Sequence, residues 1–241
     1  NFMEVFREDV ISKNLNSIKF VQHNQSRSNS GVLVVTLVMK PDKFSCPYDC
    51  YMCPDERIEN GAVLDMPRSY LSSEPAEMRA AAVNFQTIKQ FNSRMKTHKE
   101  NNHELDKLEI IVLGGTFSTY PRKYQEEFIR DTFYAANVFA TNEKRKPLSL
   151  IEEQSINESS LCHIVGISIE TRPDQINNDE IKRLRKYGVT RVQLGVQHTN
   201  DKFLKIINRQ HTVKHSINAI KKLKNVGFKI ELHIMPDLPE A

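Results

Sequence analysis

Three cysteines, Cys46, Cys50 and Cys53, stand in a C-x3-C-x2-C spacing inside the stretch KPDKFSCPYDCYMCPDE, Lys40 to Glu56. Thiolates this close on one loop can each ligate a separate iron of a [4Fe–4S] cluster. The only other cysteine, Cys162, lies far along the chain in an apolar run. Three thiolates on a four-iron cluster leave one iron open, and an open metal position is where a substrate or cofactor binds. Two other readings of the cysteines stand beside this one. A structural zinc needs four ligands, and His98 or His103 would have to supply the fourth from a distance without finger-like spacing. A disulfide framework does not fit four cysteines with these spacings in a chain of reducing-compartment composition.

Composition bounds the context. The chain has 241 residues, enough for one large α/β domain, with 39% hydrophobic and 27% charged residues, as in a globular protein. Its net charge of +4 permits nucleic-acid binding without arguing for it. The longest apolar run, VLVVTLVM, has the length of a strand rather than a membrane span, and NFMEVFREDVIS does not read as a signal peptide. A cytoplasmic, reducing location and no membrane partner are the expectation.

Repeated strand–helix units must position the cysteines. Residues 1–30 are polar and read as an N-terminal arm, and residues 31–241 as the core. Val32 to Met39 reads as a strand buried on both faces, with the cysteine loop directly after it. A helix is expected from Glu74, with Pro75 in its first turn and Met78, Ala82, Phe85, Ile88 and Met95 on one apolar face. LEIIVL, Leu108 to Leu113, is the second strand, and Gly114, Gly115 and Thr116 at its end let backbone approach a ligand closely. A helix follows from about Pro121 to Phe139, then a shorter one from Leu148 to Glu158. The third strand, Ile164 to Ile169, runs into Glu170 and Arg172. Two apart, these point to one side and can grip a zwitterion or form a salt bridge. A helix over Asp179 to Tyr187 precedes the fourth strand, Val192 to Val196, which ends at Gln197. Two more helices, Phe203 to Ile207 and Val213 to Val226, lead to a fifth strand carrying Ile230, Leu232 and Ile234. Strand then helix, repeated five times, implies a parallel sheet with right-handed crossovers, with chemistry at the strands' C-terminal ends.

The cysteine spacing resembles that of radical S-adenosylmethionine (SAM) enzymes. SGVLVVTLVMKP, SSEPAEMRA, LEIIVLGGTF, VGISIETRPD, RVQLGVQ, NRQHT and GFKIELHIMPDLP together resemble the catalytic subunit family of the Elongator complex and its archaeal, bacterial and viral relatives. The resemblance implies an α/β fold, a partial (β/α)6-type TIM barrel with a short N-terminal extension. It also implies a tRNA wobble-uridine acyltransferase that adds a carboxymethyl-type group at C5. Its implied cofactors are a [4Fe–4S] cluster on Cys46, Cys50 and Cys53, SAM, and acetyl-CoA as co-substrate. Carried over, Gly114, Gly115 and Thr116 would line the SAM methionine moiety, and Glu170, Arg172 and Gln197 its ribose and carboxylate. Implied partners are a tRNA anticodon stem-loop, an electron donor, and accessory Elongator-like subunits or a separate acetyltransferase domain. Lys40, Lys43, Arg68 and Arg79 fall in segments expected around the barrel mouth, where an anticodon loop would be held by phosphate contacts. The chain departs from the family in its shorter first cysteine gap, in Met52 before the last cysteine, and in Asp55-Glu56 where relatives have Gly-Gly. No match to the family's acetyltransferase domain or sixth strand is found. The competing functions are a radical SAM enzyme acting on a small molecule and a non-catalytic tRNA-binding scaffold with a vestigial or zinc-filled site.

Overall fold

A computed structural model describes residues 29–41, 46–62, 65–141 and 143–238. Lys43 and nearly all of the expected N-terminal arm therefore lie outside the described residues. Five strands form one sheet: β1 (Leu33–Val38), β2 (Lys107–Leu113), β3 (His163–Thr171), β4 (Arg191–Gln197) and β5 (Lys229–Ile234). All neighbours are parallel and the spatial order is the chain order, β1-β2-β3-β4-β5. An order that never reverses, with right-handed crossovers, puts the helices on one side of the sheet. That is the winding of a barrel wall, and it leaves the other side as a lumen.

The crossovers carry α1 (Pro75–Ala82), α2 (Thr87–Glu100), α3 (Arg122–Phe139), α4 (Leu150–Asn157), α5 (Asn178–Lys186), α6 (Asp201–Ile206) and α7 (Val213–Asn225). Local chemistry sets where several begin. Ser149 and Glu152 form a reciprocal capping box at α4, and the Asn177 side chain accepts the Glu180 N–H at α5. Asn200 caps α6 in the same way by accepting the Lys202 N–H. Among the described residues no helix is long and apolar enough to cross a membrane.

Strand alternation separates the two sides. Leu33, Val35 and Leu37 of β1, Leu108, Ile110 and Val112 of β2, Ile167 and Ile169 of β3, and Val192, Leu194 and Val196 of β4 are buried in one core. Phe91 and Met95 of α2, Phe128, Ile129 and Phe133 of α3, and Leu223 of α7 belong to the same core. The opposite parity carries Val38 and Leu113, packed with Met66 and Ala80 in a second apolar cluster, and a polar network across β2, β4 and β5. Arg191 Nη2 lies 3.2 Å from Glu109 and its Nη1 3.6 Å from Glu231, and the Gln193 amide donates to Glu231 at 3.1 Å. The lumen floor is thus a charge network, with Glu170, Gln193, Gly195 and His233 above it.

Three expectations need correction. The single helix from Glu74 is two helices, because Asn84 and Phe85 both take left-handed backbone angles (φ 52° and 53°) between α1 and α2. The apolar face assigned to its first half is the wrong one: Met78 is 58% exposed, whereas Glu77 and Ala80 are buried. The strand-then-helix unit is completed four times among the described residues, not five, because β5 closes the series as an edge strand with Leu232 46% and Ile234 47% exposed.

Candidate active site

The C-terminal ends of the strands converge on one mouth. The cysteine loop after β1 is pinned by Asn208, whose amide donates to the Asp49 carbonyl at 2.6 Å, and by Tyr51 N–H donating to the Ile207 carbonyl at 3.1 Å. Arg68 reaches into the loop, 2.8 Å from Asp49 and 3.6 Å from Asp55. That commitment engages the guanidinium sought for RNA contact in an ion-pair pattern at the cysteines instead. Lys40 and Arg79 are exposed.

Each cysteine sulfur meets a different strand-end segment. Cys46 Sγ lies 3.8 Å from the Thr116 hydroxyl, after β2. Cys53 Sγ lies 2.9 Å from the Ser69 hydroxyl; burial pushes this thiol's pKa up, against the pull of Ser69 and the Arg68 charge. Cys50, buried, accepts from Arg172 Nη1 and Arg209 Nη1, both at 3.5 Å. Arg172 is 1% exposed, its guanidinium 3.5 Å above the Tyr48 ring, with Nε donating to Asp174 at 3.0 Å. Although burial opposes it, the Arg172 charge and hydrogen bonding from Tyr48 hold Asp174 below the usual carboxylate range. Behind them His211 is buried, and burial with the two arginine charges depresses its pKa to about 4.

Glu170 and Arg172 do not form the pair the sequence offered. β3 ends at Thr171, and Arg172 leads into the 3-10 turn Pro173–Gln175, which gives its side chain to the cysteine loop. Glu170 stays at the lumen, where it accepts the Tyr70 hydroxyl at 2.6 Å and the Gly115 N–H; burial raises its pKa. Ser69, Tyr70, Gly115, Thr116, Glu170, Arg172, Gln193, Gln197, Arg209 and His233 line one cleft of about 250 Å³. Gly114 sits beside it, packed on Met39 and the Tyr120 hydroxyl. The structure therefore gathers Gly115, Thr116, Glu170, Arg172 and Gln197 around one cavity next to the sulfurs. A larger groove of about 1320 Å³ lies toward the N-terminal ends of β2 and β3, near Leu105 and Cys162, remote from the cysteine loop.

The donor set fits a [4Fe–4S] cluster. Three thiols on one loop lie within one another's electrostatic reach, since both Cys46 and Cys50 act on Cys53, and Arg68, Arg172 and Arg209 surround them with positive charge suited to an anionic centre. Among the described residues no three His, Cys, Asp or Glu side chains converge on a single-ion position. Thiolates that each take their own iron have no need to converge.

Glu77 of α1 is a neighbour that sequence reasoning missed. It is fully buried, neither carboxylate oxygen has a hydrogen-bond partner, and burial, with Glu74 and Glu170 nearby, pushes its pKa up to about 8 from 4.5. The folded chain keeps this proton to about pH 8, whereas the unfolded chain releases it near 4.5. The associated stability is complete below that lower value and is lost as pH rises to about 8. Glu77→Gln, which keeps the neutral shape, should match the parent at pH 5 and exceed it at pH 9 by about 1–3 kcal/mol in urea unfolding. Equal stabilities at both pH values would contradict this reading.

Residues 44–241 match the Radical SAM superfamily, so the chain belongs to that superfamily of enzymes. Within it, the chain is 37% identical over 223 residues to the tRNA uridine(34) acetyltransferase of Methanocaldococcus infernus, covering 92% of this chain and 40% of that protein. It is 34% identical over 224 residues to human Elongator complex protein 3, covering 89% of this chain and 39% of that protein. The solved structure of Methanocaldococcus infernus Elp3 with an N-terminal deletion superposes with a TM-score of 0.68 at 31% identity, covering 88% of this chain and 39% of that one. The chain thus spans about two-fifths of the length of the curated relatives it matches. Membership of this superfamily implies a [4Fe–4S] cluster and SAM.

Besides Ser69, Tyr70, Gln193 and His233 of the cleft, two residues at the Cys50 side were absent from the sequence-based site. Arg209 lies in NRQHT, a stretch that carried the family resemblance but had no role assigned to it. Asp174, in IETRPD, stood next to a named residue.

Proposed function

We propose that this chain is the radical-generating core of an enzyme that modifies C5 of the wobble uridine of tRNA with a carboxymethyl-type group. The observation that carries the reading is three cysteines at the mouth of a parallel barrel wall, beside a polar cleft, in a chain similar along nine-tenths of its length to tRNA uridine(34) acetyltransferases. Partner subunits or an acetyltransferase domain extend the same reading from those relatives' names, and acetyl-CoA as acyl source extends it from the family resemblance.

When bound, the cluster and SAM supply a 5′-deoxyadenosyl radical through one-electron cleavage of SAM. The chain's own contribution is placement. Cys46, Cys50 and Cys53 would hold the cluster. Gly115 and Thr116 offer backbone and a hydroxyl on one side of the cleft, while Glu170, Gln193 and Gln197 offer acceptors and amide donors for ammonium, ribose and carboxylate groups. Tyr70 holds the Glu170 carboxyl in place through its 2.6 Å hydrogen bond. The cytoplasm, with its reducing poise, is the location that suits such a centre.

Lys40 and Arg79, both exposed, are the described basic residues we assign to phosphate contact, with Lys43 beside Lys40 in sequence. An anticodon stem-loop held through roughly two phosphates should bind about tenfold more weakly at 200 mM than at 50 mM salt. Filter binding with a salt series checks this. Anaerobic reconstitution followed by a 5′-deoxyadenosine assay, with and without the stem-loop, tests the function itself. SAM cleavage without any salt-dependent tRNA affinity would move the assignment to a small-molecule substrate.

A further inference from the structure

We infer that Arg172 and Arg209 form a paired guanidinium clamp on the Cys50 sulfur, which raises the reduction potential of the cluster this loop would hold. This rests on the assignment of Cys46, Cys50 and Cys53 as cluster ligands.

The three sulfurs have unequal surroundings. Cys46 faces the Thr116 hydroxyl at 3.8 Å, and Cys53 the Ser69 hydroxyl at 2.9 Å. Cys53 also feels the Arg68 guanidinium, whereas Cys50 accepts from two guanidinium N–H groups, each at 3.5 Å. Three thiolates make the bound cluster anionic, and one further electron makes it more so. Cations and N–H donors at a ligating sulfur favour the more negative state, so they raise the potential. The electron comes from a low-potential one-electron reductant, dithionite in the titration, and no proton or bond to the protein is involved in its uptake.

The clamp is built rather than incidental. Arg172 has its plane on Tyr48, its Nε on Asp174 and its Nη2 on the Arg209 carbonyl at 2.6 Å, which leaves Nη1 for sulfur. Arg209 is fixed from its other end by Nη2 donating to the Gly195 carbonyl at 2.7 Å. Gly195 makes that approach possible: a Cβ there would lie 2.5 Å from Arg209 Nη2. One carboxylate, Asp174, sits beside two guanidinium groups, so net positive charge remains for the sulfur. Confining two like charges in a buried place is unfavourable by itself, and an anionic partner at Cys50 offsets it.

The test is a redox titration of the reconstituted full chain, followed by the EPR signal of the reduced cluster, with iron measured on every sample. Arg209→Gln should lower the midpoint potential, decreasing the reduced-to-oxidised ratio at a fixed solution potential about tenfold, as loss of one charge-assisted hydrogen bond implies. Arg209→Lys keeps the charge but cannot hold both Gly195 and sulfur, and should fall between. Gly195→Ala removes no donor, yet by displacing Arg209 it should shift the potential the same way. Lys96→Gln, an equal charge loss at an exposed position of α2, should titrate as the parent does. Fully loaded Arg209→Gln and Gly195→Ala proteins with the parent potential would overturn the proposal. If Arg209→Gln does not load, parent potentials in loaded Arg209→Lys and Gly195→Ala proteins overturn it equally. A parent chain that takes up no cluster would instead overturn the cysteine assignment beneath it.

Discussion

Cys50→Ala is expected to retain about a tenth or less of the parent's iron after anaerobic reconstitution, and to form no measurable 5′-deoxyadenosine. Cys50 is the middle of the three thiols and the most enclosed, with two arginines on its sulfur. Losing it removes one of three ligands and also leaves two guanidinium groups with Asp174 as the one carboxylate beside them. Buried like charges that are only partly offset are unfavourable, so loosening of the loop accompanies the loss of metal. Cys162→Ala is the matched control. That thiol is buried near the opposite end of the strands, its pKa pushed up to about 11 by burial, and its removal should leave iron content unchanged. Iron analysis and the absorbance of the reconstituted proteins check both. A Cys50→Ala protein as brown as the parent would contradict the ligand assignment.

The second large effect is expected at Gly115. Its φ of +75° is left-handed, and a Cβ built there would lie 2.6 Å from the Arg68 carbonyl oxygen, which is backbone and cannot swing aside. Gly115→Ala should therefore destabilise the chain by about 2–4 kcal/mol, combining left-handed strain with the clash. Because the Gly115 N–H also donates to Glu170, and Arg68 ties the cysteine loop through Asp49, relief of the clash must move the cleft or the loop. SAM affinity should fall more than about tenfold even where the fold survives. Urea unfolding and equilibrium SAM binding measure the two components. An alanine variant that binds SAM as the parent does would show that this backbone is not the close-approach wall of the cleft.

Much of the fold was legible because its signals are local. β-branched runs marked β1 to β4, and turn residues marked their ends, where the polar and glycine motifs fell. The cysteine spacing carried the site's central chemistry for the same reason. What stayed hidden depended on contacts distant in sequence. Arg209 reaches Cys50 across 159 residues, and no periodicity or spacing reports such a contact. Glu77 was hidden by the opposite problem. Helical alternation favours apolar residues inside, so Met78 was placed in the core, yet the chain buries a carboxyl group and exposes the methionine. The aliphatic residues of β5 marked a strand but not its exposure, which follows from the lack of a neighbour on its far edge among the described residues. Arg172 was read with Glu170 because strand alternation was extended one residue past the strand's end at Thr171.

The central claim is an iron–sulfur centre with one iron left open beside the Gly115–Glu170 cleft. Low-temperature EPR of the reconstituted, chemically reduced chain, before and after addition of SAM, tests it most directly. About four irons per chain are expected, with a reduced-cluster spectrum whose g-values change when SAM is added. A loaded cluster whose spectrum ignores SAM, or a chain that binds a single zinc and no iron, would contradict it.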